Sequence, residues 1–211
     1  DRVDVWQSGG RPYVRVVDYK TGKKSFDYTN VLHGRGLQML LYLFALVRQG
    51  GHLLHGEPLP AGVLYFPARI ERVSVRDRLA QAEIEKERRK QLRRSGVLLN
   101  SDPVLEAMEP CGGSPRFLPY ALDKEGRKTG DLASFVQLAQ LERFVFRTVA
   151  ALGDELADGR IDPDPCIRDA KDSACAFCPY SEVCAGHEQP RWLKKITAEE
   201  FWQTLERREH G

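Results

Sequence analysis

Tyr13-Val14-Arg15-Val16-Val17-Asp18-Tyr19-Lys20-Thr21-Gly22-Lys23-Lys24 is the stretch on which the fold turns. From Tyr13 to Tyr19 it is rich in β-branched and aromatic residues and apolar at most positions, as a central strand is. It ends at Lys20-Thr-Gly-Lys-Lys24, a polar turn. Upstream, Val3 to Trp6 is a second β-rich run, and Gln7-Ser-Gly-Gly10 between the two has turn chemistry. The pair predicts a hairpin. Side chains alternate along a strand, so Asp18 and Lys20 leave one face of the strand end. Asp1, on the neighbouring strand, comes beside them.

Downstream the pattern changes period. From Gly36 to Arg48, Leu37, Leu40, Leu41, Phe44 and Val47 recur at helical intervals, and Gly50-Gly51 ends the run. Gly62-Val-Leu-Tyr-Phe66 is a short apolar strand stopped by Pro67. Strand, helix and strand in this order predict a mixed α/β sheet flanked by helices. Residues 77–95 are charged and helix-prone, and 101–130 carry four prolines and several glycines, as a loop or insertion does. An amphipathic helix is predicted from Leu132 to Asp158 with Gly159 as its stop. Thr197-Ala-Glu-Glu200 is a capping box before a last short helix. These signals divide the chain into a core over 1–165, a cysteine-rich segment over 166–190 and a C-terminal helix over 191–211.

With 211 residues, 42% hydrophobic and 29% charged, the chain is long and apolar enough for a packed domain. A net charge of +2 does not mark it as a nucleic-acid binder, so any such surface must come from local clustering. No apolar run reaches the roughly 18–20 residues that cross a membrane. With no signal-peptide pattern at the start, a cytosolic location is expected. The chain opens on Asp1-Arg-Val-Asp4 without Met and reads as a piece of something longer, truncated at its N-terminus.

Asp1, Asp18 and Lys20 at one strand end make chemical sense. Two carboxylates hold a hard divalent ion such as Mg²⁺ through oxygen. The ion lowers the pKa of a bound water and shields a phosphate, while a lysine orients the water or meets charge in the transition state. Asp-x-Lys alone is also what a solvated strand end looks like. Gln38 and Tyr42, four apart on the following helix, share a face and can hydrogen-bond phosphate or a neighbouring group. Taken by themselves, Tyr42 is expected in the core and Gln38 outside.

Asp1-Arg-Val-Asp4, Val16-Val-Asp-Tyr-Lys-Thr-Gly-Lys-Lys24 and Gln38-x-x-x-Tyr42 resemble, in order and spacing, the RecB-family branch of the PD-(D/E)XK nucleases. Pro60-Ala-Gly-Val-Leu-Tyr-Phe66 and the cysteine tail are similar to the nuclease domain of the B subunits of bacterial AddAB helicase–nucleases. The resemblance covers nearly the whole chain and is weakest over 77–130. It implies a restriction-endonuclease-like fold and an exonuclease acting on DNA at double-strand breaks, in bacterial cytoplasm. It implies an AddA-like motor subunit as heterodimeric partner. Asp1 and Asp18 match the metal-binding acids, Tyr19 would lend its backbone carbonyl to Mg²⁺, and Lys20 matches the catalytic lysine. Gln38 and Tyr42 match the supporting helical motif, and Arg2 and Asp4 receive no catalytic role. Because Asp1 is terminal, it is expected to be held loosely, and the isolated piece is not expected to be a complete working enzyme.

Cys175-Ala-Phe-Cys178 followed by Cys184 gives Cys-x2-Cys-x5-Cys. The spacing permits zinc or an iron–sulfur cluster, against buried thiols or a disulfide. The resemblance favours a 4Fe–4S cluster whose fourth cysteine lies upstream of the first motif, outside this sequence. Cys166 is expected to be structural, Cys111 incidental and His187 a surface residue. Lys23, Lys24 and Arg35 are candidates for DNA phosphates. The basic 86–94 cluster is mixed with glutamates and is expected to be a solvated helix. Two other functions compete: an inactive DNA-binding or scaffold domain on the same fold, and a zinc protein of unrelated fold.

Overall fold

The structure is a computed structural model; it describes every residue except Lys23, 73–80, 169–172, 185–189 and Gly211. In chain order the elements are β1 (Arg2–Ser8), β2 (Arg11–Lys20), α1 (Tyr28–Leu32), α2 (Gln38–Gln49), α3 (Gly51–Leu54), β3 (Leu59–Pro67), α4 (Gln81–Gln91), β4 (Ser95–Leu99), α5 (Asp102–Met108), β5 (Tyr120–Leu122), β6 (Lys128–Gly130), β7 (Leu132–Ala133), α6 (Phe135–Ala157), β8 (Cys166–Ile167), a 3-10 turn (Ala174–Phe177), β9 (Arg191–Trp192) and α7 (Ala198–His210). They form two compact units. The first holds Asp1–Phe26 and Gly36–Arg143, the second Asp27–Arg35 and Phe144–Gly211.

The first unit is built on a five-stranded mixed sheet in the order β1-β2-β3-β4-β7. The expected hairpin is there: β1 pairs antiparallel with β2 from Arg2↔Val17 to Ser8↔Arg11. Its turn is Gly9-Gly10, with φ of 59° and 74°, and two positive φ values are what a type I′ turn requires. β2 runs parallel to β3, with Asp18 beside Tyr65 and Lys20 beside Pro67. Parallel neighbours need a crossover, and α2 supplies it, lying against both strands. It buries Met39, Leu40, Leu43 and Phe44. Val14, Val16 and Val17 are wholly or almost wholly buried, which explains the continuous apolar reading of β2.

Across 77–133 the fold departs from the sequence pattern. The described part of the charged helix is α4 alone, and residues 77–80 lie outside the described residues. Ser95–Leu99 is strand β4, not the tail of that helix, and Val97, Leu98 and Leu99 are buried. A short apolar run does not reveal its own period. The stretch 101–130 is not a plain loop: α5, β5 and β6 lie in it. Leu105, Leu118 and Tyr120 from this stretch close a core cluster with Leu64 and Leu98. The long helix starts at Phe135 because Ser134 and Gln137 exchange side-chain and backbone hydrogen bonds at 2.8 and 3.1 Å, a capping box. That leaves Leu132–Ala133 to pair as β7.

In the second unit Asp27 caps α1, its Oδ1 accepting from Asn30 N–H at 3.0 Å. Tyr28 packs against Phe201 and Trp202 of α7 with ring centroids 5.1 and 6.1 Å apart. The capping box of α7 forms as read: Thr197 N–H donates to Glu200 Oε2 and Glu200 N–H to Thr197 Oγ1. Among the described residues no helix is long and apolar enough to cross a membrane.

Candidate active site

β2 carries Asp18 almost fully buried, 4% exposed, to the end of the sheet. Lys20, two residues on and on the same face, sets its Nζ 2.6 Å from Asp18 Oδ2. The β1–β2 pairing ends at Arg2↔Val17, one residue short of Asp1. Asp18 and Lys20 share one face of β2 by alternation, and Asp1 borders a cleft between the strands and α2. Asp1, Val3 and Val16 from the strands, with Tyr42, Leu46 and Gln49 from α2, line one cleft of about 480 Å³.

Tyr42 is not in the core, where its type would place it: it is 43% exposed. Gln38 Nε2 donates to its hydroxyl at 2.9 Å. Tyr65, beside Asp18 on β3, is a neighbour that spacing did not single out. Burial and then the charge of Asp18 push its hydroxyl pKa above the ordinary tyrosine value. Only the parallel pairing of two strands separated by a helix brings it there.

Arg2 and Asp4 belong to the opposite face. Arg2 and Arg15 both pair with Asp4, at 2.8 and 2.5 Å. Burial alone would raise the Asp4 carboxyl, but the hydrogen bond and charge of Arg15, then those of Arg2, hold it below the ordinary value. Arg2 and Arg94 lie over the Phe66 ring, at 5.6 and 4.0 Å from its centre. These groups clamp the back of the sheet, and Arg2 also borders the cleft lined by Asp1 and Tyr42.

A second cleft, of about 250 Å³, opens at the same end of β2 and β3. Lys20 and Lys24 line it together with Arg69, Lys90 and Arg93. Lys23 lies outside the described residues. The reading of α4 as a solvated helix holds for Arg89, which pairs with Glu85, and for Lys90, paired with Glu87. Lys90 nevertheless borders the cleft. Arg69 has no local sequence signal.

The acids at this end of the sheet, Asp1 and Asp18, offer oxygen donors only. Such donors fit a hard divalent cation. The second unit holds the thiols. Cys175 N–H donates to Ser173 Oγ, Cys178 N–H to Cys175 O and Cys184 N–H to Tyr180 O, which coils the Cys-x2-Cys-x5-Cys segment. All five cysteines are half-buried and none is in a disulfide. Among the described residues no three His, Cys, Asp or Glu side chains converge closely enough to hold a metal. Cys166 Sγ accepts from Arg191 Nη2 at 3.0 Å, and Cys111 donates to Gly113 O at 3.3 Å. His187 lies outside the described residues.

A sequence profile of the PD-(D/E)XK nuclease superfamily matches residues 1–185. The chain belongs to the PD-(D/E)XK nuclease superfamily. The mixed sheet with its crossover helix agrees with that fold. Among curated proteins, it is 36% identical over 188 residues to the B subunit of the ATP-dependent helicase/deoxyribonuclease of Moorella thermoacetica, covering 88% of this chain and 16% of that protein. The same subunit of the Clostridium perfringens enzyme is 30% identical over 221 residues, covering 100% of this chain and 19% of that protein. That of Oceanobacillus iheyensis is 31% identical over 191 residues, covering 87% and 16%. The chain spans less than a fifth of the length of these relatives. Within this PD-(D/E)XK chain, Asp18-Tyr19-Lys20 is an Asp-x-Lys segment on a central strand of the sheet.

Proposed function

We propose that this chain is the nuclease domain of a helicase–nuclease B subunit and acts as a Mg²⁺-dependent DNA exonuclease. In this reading it works in the bacterial cytoplasm with an AddA-like helicase–nuclease partner, on DNA ends at double-strand breaks. The observation that carries the reading is the Lys20–Asp18 contact of 2.6 Å on a nearly buried carboxylate, with Asp1 one residue beyond the end of the β1–β2 pairing at Arg2↔Val17.

Asp1, Asp18 and the Tyr19 carbonyl would hold the ion. Bound there, Mg²⁺ supplies Lewis-acid activation of water and neutralises phosphate charge. The protein's own groups do the positioning. Asp18 is fixed by burial and by Lys20, so its carboxylate is preorganised. The Lys20 ammonium, 38% exposed and bordering the basic cleft, can orient the attacking water and meet negative charge as it grows on the phosphate. Gln38 gives its N–H to the Tyr42 oxygen, which leaves the Tyr42 O–H to donate to a phosphate oxygen.

The test is digestion of a linear duplex with Mg²⁺ by the full-length protein with its partner, the partner's own nuclease being disabled. Asp18→Ala and Lys20→Ala should each lower activity by a factor on the order of a hundred or more. Digestion by both variants at the wild-type rate would refute the assignment.

For the second unit we propose that Cys175, Cys178 and Cys184 supply three ligands of a 4Fe–4S cluster. Three unpaired thiols within ten residues supply the ligand chemistry, and since they do not converge here, taking up the cluster has to draw them together. Iron and sulfide analysis of anaerobically prepared full-length protein, with its visible absorption, checks this. Stoichiometric zinc without iron rules it out.

A further inference from the structure

The basic cleft at the end of β2 and β3 is built from parts far apart in sequence. The strand ends contribute Lys20, Lys24 and Arg69, and α4 with the residues after it contributes Lys90 and Arg93. Two hydrogen bonds fix this geometry. Ala68 N–H donates to Lys20 O at 2.8 Å, which prolongs the β2–β3 pairing and brings Arg69 alongside the turn. Glu71 N–H donates to Gln91 Oε1 at 2.8 Å, which ties the chain leaving β3 to α4.

Five cations face one carboxylate, Glu71, among the described residues lining the cleft. A concave site with that excess draws in anions. Among the described residues no ion pair holds Lys24 or Arg69. The Lys90–Glu87 pair is an exposed pair one helical turn apart, and such pairs are cheaply exchanged for another anion. Lys20 belongs both to this cleft and to the acidic face, through its contact with Asp18. An anion in the cleft is therefore adjacent to whatever phosphate reacts at Asp18.

We propose that the cleft binds the phosphodiester backbone of the strand being cut, next to the scissile phosphate, with Arg69 and Lys90 as a backbone clamp. This rests on the nuclease reading above. It gives α4 a role that its sequence, mixed in charge, does not advertise. Phosphate contacts position the strand and carry no base preference.

The experiment uses the full-length protein with its partner, a fluorescein-labelled single-stranded oligonucleotide and no divalent metal. Fluorescence anisotropy gives affinity across a salt series. Removing one cation that neutralises a phosphate should flatten the slope of log affinity against log salt by about 0.7 for a single strand. Arg69→Ala and Lys90→Ala should each produce that shift, the double variant about twice as much, and Lys90→Arg none. Arg88→Ala, the same charge change on α4 outside the cleft, should keep the wild-type slope. With Mg²⁺ present, the double variant should raise KM several-fold and leave kcat in place. An unchanged slope in the double variant, or an equal shift from Arg88→Ala, overturns the clamp. Failure of the nuclease reading looks different: Asp18→Asn would then cut DNA normally, whatever the slopes of the cleft variants.

Discussion

Replacing Gly62 with alanine adds one methyl group, at a place where the sheet has no room for it. Gly62 has φ of +133°, a conformation that a side chain disfavours. It follows the irregularity in β2–β3 pairing, where the partner jumps from Pro60 to Gly62. A Cβ there would stand 2.3 Å from Val97 O, 2.8 Å from Leu98 Cα and 2.9 Å from Leu98 Cδ2. The first two are backbone atoms of β4 and cannot rotate away. The strained backbone costs about 1–3 kcal/mol. Overpacking costs about 1–3 kcal/mol more. The total of about 2–6 kcal/mol compares with a whole-domain stability of about 5–15 kcal/mol. With a urea dependence of about 2 kcal/mol per molar, the unfolding midpoint should fall by about 1–3 M. Far-UV circular dichroism in a urea series measures it. Gly22→Ala is the control, since its added Cβ meets nothing within 4 Å, and its midpoint should stay near wild type. A Gly62→Ala midpoint within about 0.3 M of wild type, at unchanged slope, would refute the close approach of β3 and β4.

Two further outcomes follow from the packing and the ion pairs. Leu118 is fully buried in the cluster with Leu64, Leu98, Leu105 and Tyr120, so Leu118→Ala should cost about 2–5 kcal/mol in the same urea assay. A cost under about 0.5 kcal/mol would return 101–130 to the status of a loop. Asp27 is the pH-dependent case: burial alone would raise its carboxyl, but the Asn30 N–H and then the Arg168 hydrogen bond and charge hold it below its ordinary 3.8. A depressed carboxyl contributes stability that is fully present above the unfolded value and lost as pH falls through the folded one. Asp27→Asn keeps a good helix cap but removes the charge. Its deficit against wild type should therefore be constant above about pH 5 and close below 3.8, and a deficit that grows on acidification contradicts the pairing.

Much of the site was legible in the residues because its parts are local. Asp18 and Lys20 share a face by alternation alone, and Gly9-Gly10 closes a hairpin by its own backbone freedom. The hairpin then returns the start of the chain to the Asp18 end of β2, pairing Arg2 with Val17. Tyr42 marks the limit of such local signals. Its residue type favours the core, yet it stands at the exposed edge of α2 beside Gln38, because Met39, Leu40, Leu43 and Phe44 fill the face that meets the sheet. Ser95–Leu99 and Leu118 escaped notice for a related reason. A run of three apolar residues, Val97 to Leu99, and an isolated leucine between prolines carry no period, so only their long-range partners say what they are.

The sequence by itself determined the strand, its acid–lysine pair, the crossover helix and the cysteine spacing, since each depends on neighbours within a few residues. Tertiary structure alone decided that Tyr65 lies against Asp18, that Leu105 and Leu118 complete a core, and that Arg69 and Lys90 meet Lys20 around one cleft. Those contacts join residues up to some 70 positions apart, from Lys20 to Lys90, and no local propensity encodes them. They come from the burial of β3 between β2 and β4, which fixes what stands at the end of the sheet.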